Sequence, residues 1–250
     1  MIIEIKDLNL DINNFQILKN INLCIEKGET IVLLGKNGSG KTMLLKTIIG
    51  LYKPNSGSVK IFDKDINNLS KTEQTDMLRQ MGYVFQKSGL FDSLNIAENV
   101  VFALRRFQPE TKEWLLQKAI DLLKSAGLEN VEKKSPAELS GGMQKRAGIA
   151  RAIAMDPAIL LMDDPTAGLD PVLSDAIAEL IVGIRERIKS SIIVVTHDLK
   201  IAYKLGHRIG LMHDGNLISI MQTGEFLKTD NEYISQFRSG NLEGPIPVLD

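Results

Sequence analysis

The chain has 250 residues, which is enough for one large α/β domain or two small ones. Hydrophobic residues make up 44% of it and charged residues 24%, as in an ordinary globular protein. Its 30 basic and 31 acidic residues give a net charge of −1. Because no basic excess is available to neutralise phosphates, we expect no nucleic-acid partner. The single cysteine, Cys24, excludes an internal disulfide and fits a reducing compartment.

The first third of the chain alternates like β-strands. Residues 2–8 and 17–26 predict two strands, and Phe15 stands between them in a polar, exposed loop. A further strand is predicted at residues 58–62 and another at 82–85. Residue 1 opens directly on this pattern and no run of 18 apolar residues follows, so we expect neither a signal peptide nor a membrane span.

The middle of the chain is helical. Helices are predicted over residues 94–104, 111–126 and 143–155, the second from apolar residues that recur every three or four positions. Strands return at residues 159–162, 192–195, 209–212 and 217–220, with a helix over 172–188. Strands that alternate with helices predict a largely parallel α/β sheet, and the helical block reads as an insertion into it.

One segment matches the phosphate-binding pattern GxxxxGK[ST]. It lies between an apolar strand at 30–34 and a helix predicted over 43–50. The glycines allow main-chain N–H groups to approach phosphate oxygens at a helix N-terminus. Lys41 then reaches the β- and γ-phosphates and Thr42 ligates Mg²⁺, so the segment predicts a nucleoside triphosphate site. The predicted nucleotide-binding residues of this segment are Gly35, Lys36, Asn37, Gly38, Ser39, Gly40, Lys41, Thr42 and the first helical residue, Met43.

Such a loop needs an acid at the end of a neighbouring strand to hold the metal. Asp163 follows four apolar strand residues and is the predicted magnesium ligand. Asp164 comes next, where an acid could polarise the attacking water. His197 follows a third predicted strand and is expected to face the same crevice, since ligands bind at the carboxyl ends of parallel strands.

The order of these segments resembles the ATP-binding subunits of ABC transporters over nearly the whole chain. Besides the phosphate loop and the two aspartates, it includes Gln86, Leu-Ser-Gly-Gly-Met at residues 139–143, and Ala-Gly-Leu-Asp at 167–170. The resemblance implies a P-loop NTPase with a RecA-like core, an N-terminal antiparallel β subdomain and an inserted helical subdomain. The implied division is a single ABC ATPase domain at 1–238, with its core at 1–88 and 157–238, helices at 89–156 and a tail at 239–250.

The same resemblance implies roles for individual residues. Phe15 would stack on adenine, and Gln86 would contact Mg²⁺ and the water. Two ATP molecules would lie between the subunits of a homodimer, each held by one phosphate loop and by the other subunit's signature residues, Ser140, Gly141 and Gly142. Asp170 would contact the second subunit, and His197 would sense the γ-phosphate. Residues 86–95 would meet an integral membrane permease, which places the chain on the cytoplasmic face of the membrane.

Two positions depart from the family pattern. Met143 stands where the signature usually has Gln, and Asp164 stands where the catalytic Glu usually stands. Because Asp is one methylene shorter than Glu, we predict slower hydrolysis than a Glu version would show.

Three short stretches resemble the Mla/Mce-type lipid-transport ATPases more narrowly. They are residues 86–95, the signature at 139–143, and the chain end with Gln236, Phe237 and Gly-Pro-Ile-Pro at 244–247. This resemblance implies phospholipid trafficking between inner and outer membranes. In that case the tail at 239–250 would either lack order or pack across the dimer.

Other functions share parts of the pattern. A genome-maintenance ATPase would separate the two halves of the site with coiled coils, and only 99 positions separate Lys41 from Ser140. A soluble assembly ATPase of the iron–sulfur scaffold type stays open as an alternative, as does an ABC importer or exporter for another substrate. A small-molecule kinase is the least favoured alternative, because it would not need residues 140–142.

Overall fold

The structure, a computed structural model, describes residues 1–108 and 110–247. They form two compact units, Met1–Thr75 with Ser191–Asp250, and Asp76–Ser190. The second unit contains strands and a long helix besides the predicted helical block, so its limits differ from the predicted subdomain at 89–156. The division into core and helical subdomain therefore stays a prediction.

The first unit begins with β1 (Ile3–Ile12), β2 (Phe15–Ile25), β3 (Thr30–Leu34), α1 (Lys41–Ile48), β4 (Ser56–Ile61) and β5 (Lys64–Asp65). A short 3₁₀ turn, Ile66–Asn68, precedes α2 (Lys71–Arg79), which crosses the boundary between the units. The second unit holds β6 (Met81–Val84), α3 (Ile96–Val100), α4 (Phe102–Phe107), α5 (Lys112–Ser125), the 3₁₀ turn Pro136–Glu138, α6 (Gly141–Ala152), β7 (Ile159–Asp163) and α7 (Pro171–Ile188). The first unit then resumes with β8 (Ser191–Val195), α8 (Leu199–Leu205), β9 (Arg208–His213), β10 (Asn216–Gln222), α9 (Thr223–Phe226) and α10 (Glu232–Ser239).

The first unit contains an antiparallel sheet, which confirms the expected N-terminal β subdomain. Its strand order is β2-β1-β4-β5. Ile3, Ile5 and Leu8 of β1 are buried while Lys6 and Asp7 are exposed. Such a strand covers the core with one face and leaves the other in water.

The same unit contains a run of strands in the order β10-β9-β3-β8. β3 pairs in parallel with β8 and with β9, and every residue of β3 and β8 is buried. Strands buried on both faces read as continuous apolar runs, which is why the sequence revealed them. Because β3 and β8 are parallel, the segments that follow Leu34 and Val195 leave the sheet at the same edge.

The second unit is built on a parallel strand pair and its helices. β6 pairs with β7, with Val84 opposite Met162. The segments that follow these strands therefore also leave at one edge. Helices α3, α5 and α6 pack on one another through buried residues such as Val100, Ala119 and Ile149.

Several local predictions were wrong. Phe15 is the first residue of β2 rather than part of a loop, although it is 72% exposed as expected. The helix predicted to begin at Met43 begins at Lys41. The helix predicted over 94–104 is two helices, because the chain departs from helical geometry at Val101, which has φ −94° and ψ 12°. Helices α2, α8, α9 and α10 were not predicted.

Within the described ranges, no helix combines the length and the apolar composition that crossing a membrane requires.

Candidate functional site

The phosphate-binding segment has the backbone that the sequence predicts. Gly35, Gly38 and Gly40 have φ of 155°, 81° and 98°. A Cβ at Gly35 would lie 2.3 Å from the main-chain oxygen of Met212, so no side chain fits there. A Cβ at Gly38 would meet nothing within 4 Å, and the loop is open at that point. Main chain is therefore exposed at Gly38, whereas Gly35 and Gly40 are buried.

Lys41 and Thr42 begin the helix that follows this loop. Helix α1 starts at Lys41, directly after the left-handed Gly40. The Lys41 Nζ donates to the main-chain oxygens of Gly35 at 2.7 Å and Lys36 at 2.8 Å. The ammonium therefore lies over the loop, at the N-terminus of α1, where main-chain N–H groups attract anions.

Met43 lies in the first turn of α1 and not at its first residue. The helix starts earlier than predicted because Leu44 N already donates to the Gly40 oxygen at 2.9 Å. Met43 is half-buried, and its main-chain oxygen accepts from Thr47 Oγ1 at 2.8 Å within the helix. The N–H groups of a first turn have no acceptor within their own helix. The group that Met43 can offer to a phosphate is therefore its main-chain N–H, and its thioether has no such role.

Phe15 and His197 belong to the same unit as the loop. β2, the strand that begins at Phe15, packs against the loop, since a Cβ at Gly40 would lie 3.0 Å from Leu18 Cδ2 and 3.1 Å from the Ile17 oxygen. His197 is exposed and follows β8. Asp198 next to it caps α8 by accepting from Lys200 N at 2.8 Å. His197 is thus held between a buried strand and a helix start.

The acidic pair lies in the second unit. Asp163 ends β7 and is 6% exposed. The Tyr83 hydroxyl, on the neighbouring strand, donates to Asp163 Oδ2 at 3.4 Å. Burial raises the pKa of the Tyr83 hydroxyl, and the charge of Asp163 raises it further, so the phenol keeps its proton and stays a donor.

Asp164 has an unusual backbone conformation. It is 7% exposed and has φ of 42°, in the left-handed region that Asp tolerates better than most residues. Its main-chain oxygen accepts hydrogen bonds from Ala167 N at 3.1 Å and from Lys145 Nζ at 3.3 Å. Two hydrogen bonds therefore hold the carbonyl group of Asp164.

Gln86 is connected to the same lysine. Its side chain is exposed, and its main-chain oxygen accepts from Lys145 Nζ at 2.6 Å. Lys145 itself is 6% exposed. Burial lowers the pKa of its ammonium, and the nearby charges of Asp164 and Asp163 oppose this shift. Sequence reasoning missed both Lys145 and Tyr83, because neither a lone lysine in a helix nor a tyrosine in a strand carries a pattern.

The signature residues open helix α6. Ser140 is its N-cap, and its hydroxyl accepts from Met143 N at 3.3 Å. A Cβ at Gly141 would meet nothing within 4 Å, so the helix start is open to a ligand. Gly142 is buried against Leu173.

Asp170 lies at the start of the next helix of the same unit. It is exposed and caps α7, accepting from Val172 N at 2.9 Å and from Leu173 N at 3.0 Å. Because Leu173 also packs on Gly142, the cap of α7 lies close to the start of α6.

Two side chains that the sequence did not single out hold the segment after Gln86. Arg151 donates to the main-chain oxygens of Gly89 at 2.6 Å and Ser88 at 3.0 Å. The buried Asn99 amide accepts from Phe91 N at 2.7 Å and donates to Phe91 O at 3.0 Å. Residues 88–95 are therefore an ordered surface segment although they contain little regular structure.

Comparisons with known proteins bear on the whole chain. Residues 18–167 match the family model described as "ABC transporter". The chain is 37% identical over 248 residues to the probable ribonucleotide transport ATP-binding protein mkl of Mycobacterium leprae, covering 99% of this chain and 72% of that protein. It is 32% identical over 245 residues to the intermembrane phospholipid transport system ATP-binding protein MlaF of Haemophilus influenzae, covering 98% and 93%.

Among solved structures, one similar protein is the ATP-binding cassette MJ0796, described as a dimer in a post-hydrolysis state with ADP and Pi. Its TM-score is 0.82 at 34% identity, over 88% of this chain and 98% of that one. The expected fold is confirmed by this likeness, and so is ATP hydrolysis. The chain therefore belongs to the ABC transporter family, as one of the ATP-hydrolysing subunits that power these transporters.

Proposed function

We propose that the chain powers phospholipid transport between an inner and an outer membrane. The observation that carries the proposal is the similarity to MlaF, which extends over nearly all of both chains. Support also comes from the three stretches that resemble the Mla/Mce-type ATPases, namely residues 86–95, the signature with Met143 and the chain end. The similarity to mkl, whose name refers to ribonucleotide transport, makes another cargo the second candidate.

The phosphate loop and the Lys41 ammonium bind the triphosphate of ATP in this proposal. These groups suit the triphosphate, because the open main chain at Gly38, the Lys41 ammonium and the N-terminus of α1 all favour a bound anion. Phe15 offers an exposed ring on a strand that packs against the loop, and we assign it to the adenine. The other residues assigned to ATP are Lys36, Asn37 and Ser39 of the loop and Met43 of α1, which contributes its main-chain N–H.

The residues assigned to magnesium have the chemistry that this ion prefers. Thr42 offers a hydroxyl, Asp163 a carboxylate and Gln86 an amide oxygen, all hard oxygen donors. When bound, Mg²⁺ neutralises charge on the phosphate oxygens. Tyr83 serves the carboxylate of Asp163 by donating a hydrogen bond to it, which keeps that oxygen pair oriented.

Asp164 is the proposed base that orients the attacking water, and His197 the residue that contacts the γ-phosphate. Asp164 is one methylene shorter than the Glu usual in the family. Its left-handed backbone and its fixed peptide group determine where that short side chain points. We therefore expect productive but slow hydrolysis.

The signature residues serve the ATP of a second copy. Ser140 and the N–H groups of Gly141 and Gly142 lie at an open helix start, which suits a γ-phosphate. Two copies would then form a symmetric dimer in which the signature residues of each subunit contact the ATP of the other, and Asp170 would lie at the same interface. That MJ0796 was solved as a dimer supports this arrangement.

A membrane permease is the proposed second partner. Phe85, Phe91 and Phe102 are 43–45% exposed, and they line a groove of about 410 Å³ together with Arg151 and Met155. Exposed aromatic side chains grouped in this way are typical of protein contact sites. A helix of the permease in this groove would place the chain on the cytoplasmic face of the inner membrane.

Co-purification tests the proposal. The tagged full chain is isolated from detergent-solubilised membranes, and the bound proteins and lipids are identified by mass spectrometry. We expect an integral membrane subunit and enrichment of phospholipid. Recovery of a soluble scaffold protein alone would favour the assembly ATPase, and a membrane subunit without lipid would favour another cargo.

A further inference from the structure

Lys145 is a buried cation that the roles described so far do not use. It lies on α6, five residues after Ser140, and is 6% exposed. Its Nζ donates to the main-chain oxygens of Gln86 at 2.6 Å and of Asp164 at 3.3 Å. One ammonium therefore joins the segments that follow β6 and β7, which carry the proposed water-contacting and base residues.

Burying an ammonium costs free energy unless hydrogen bonds and opposite charges offset it. Here two carbonyl oxygens accept from the ammonium, and the carboxylates of Asp163 and Asp164 act on it electrostatically. A neutral side chain of similar length would fill the same space without this cost. The charge at this place therefore needs a reason other than packing.

We propose that Lys145 is a positioning residue for ATP hydrolysis, which holds the peptide groups of Gln86 and Asp164 in fixed relation. The inference rests on the proposed roles of these two residues. It requires no contact between Lys145 and ATP.

The backbone of Asp164 explains why such a connection matters. A non-glycine residue at φ of 42° is held there by its surroundings. Two of these constraints act on its carbonyl, one from Ala167 N and one from Lys145 Nζ. Loss of the second lets the peptide plane turn, and the carboxylate turns with it. A misplacement of about 1 Å in such a group lowers the rate by up to about 100-fold.

The position of Lys145 on α6 also connects the signature residues at the helix start with Gln86 and Asp164, the residues proposed to act in hydrolysis. An α-helix rises about 1.5 Å per residue, so Lys145 lies roughly 7.5 Å along α6 from Ser140. A displacement of the helix start is transmitted by the rigid helix to both carbonyls. Docking of the signature on a second subunit's nucleotide would thus adjust Gln86 and Asp164 together.

The test compares Lys145→Met, which keeps most of the side-chain length and removes the ammonium, with Arg146→Met on the same helix. Arg146 donates to the main-chain oxygen of Ala126 at 3.3 Å, outside the proposed site. For each full-length variant, single-turnover ATP hydrolysis and the Kd of a fluorescent ATP analogue are measured.

We expect Lys145→Met to hydrolyse ATP about 10- to 100-fold more slowly with a Kd within about threefold of wild type. Arg146→Met is expected to keep the wild-type rate. A wild-type rate in Lys145→Met overturns the inference, even if its thermal stability falls. If Lys145→Met does not fold, Lys145→Gln takes its place, and the same two results decide.

Two further variants separate this inference from the proposed site. Lys41→Ala and Asp164→Asn are measured in the same assay. If both retain the wild-type rate, the site assignment fails and the role of Lys145 fails with it. If both lose activity while Lys145→Met keeps it, only the inference about Lys145 fails.

Discussion

The side-chain amide of Gln236 binds the main chain of Ile246 in both directions. Its Oε1 accepts from Ile246 N at 2.7 Å, and its Nε2 donates to Ile246 O at 2.9 Å. Gln236 and Ile246 are both buried. The described part of the tail, up to residue 247, thus contacts its own chain, and the Lys36 ammonium donates to the Pro247 oxygen. These contacts connect the tail to the phosphate loop.

Replacement of Gln236 by Leu is expected to lower the free energy of unfolding by about 2 kcal/mol, because it leaves the buried N–H and C=O of Ile246 without this partner. Urea unfolding of the full chain measures the loss. Gln117→Leu is the control, since Gln117 is exposed and bonds to Asp121 on the helix surface. Equal stability of the two variants would contradict the role of this contact.

Sedimentation with ATP, with and without residues 240–250, separately tests whether the tail supports a dimer.

Asp164→Glu is expected to raise the rate of ATP hydrolysis severalfold, because the longer side chain brings the carboxylate closer to the water. The same change is expected to cost about 1 kcal/mol of stability, since Glu is less tolerant of the left-handed backbone at φ 42°. Steady-state turnover at saturating ATP measures the first effect. A rate equal to or below that of wild type would show that the short acid does not limit hydrolysis.

Ser140→Arg is expected to leave ATP binding to a single subunit intact and to block closure of two subunits. The large cation fills the open helix start that is proposed to accept a second subunit's γ-phosphate. Binding of a fluorescent ATP analogue and nucleotide-dependent cross-linking measure the two properties separately. Ser125→Arg, in the last turn of α5, is the control. Cross-linking of Ser140→Arg at the wild-type level would refute the shared site.

Asn99→Ala is expected to weaken binding of the membrane subunit at least tenfold. The buried amide bonds to both main-chain groups of Phe91 and to the oxygens of Leu94 and Asn95, so its loss releases the proposed docking segment. Asn68→Ala, at an exposed amide, is the control. The ATP affinity of the isolated chain should stay unchanged. Retained binding of the membrane subunit would place the docking surface elsewhere.

The sequence predicted the parts of the fold that have strong periodic or chemical signals. The strands at 30–34 and 159–163 each contain four consecutive apolar residues, and the second ends in Asp163, so both the sheet and the position of Asp163 followed from the pattern. Helix α2 was missed because Met77 is its one buried residue, which leaves no apolar period to detect. The start of α1 was placed at Met43 because apolar residues begin there, whereas the left-handed Gly40 fixes the true start at Lys41.

The contacts that hold the site residues in place could not be predicted from the sequence, for a different reason. Lys145 binds main-chain oxygens 59 and 19 positions away. A main-chain acceptor carries no sequence identity, so no residue pattern indicates such a bond. The same holds for Arg151 and for the Gln236 amide, whose partners are also main-chain groups.

Phospholipid transfer by the reconstituted complex tests the central proposal most directly. The chain and its co-purified membrane subunit are placed in liposomes, and transfer of a labelled phospholipid is followed with and without ATP. The proposal predicts transfer that requires ATP and that Lys41→Ala abolishes, because this change removes the cation over the phosphate loop. Lys46→Ala, in the last turn of the same helix, should retain it. ATP hydrolysis by the wild-type complex without any ATP-dependent movement of phospholipid would contradict the proposal.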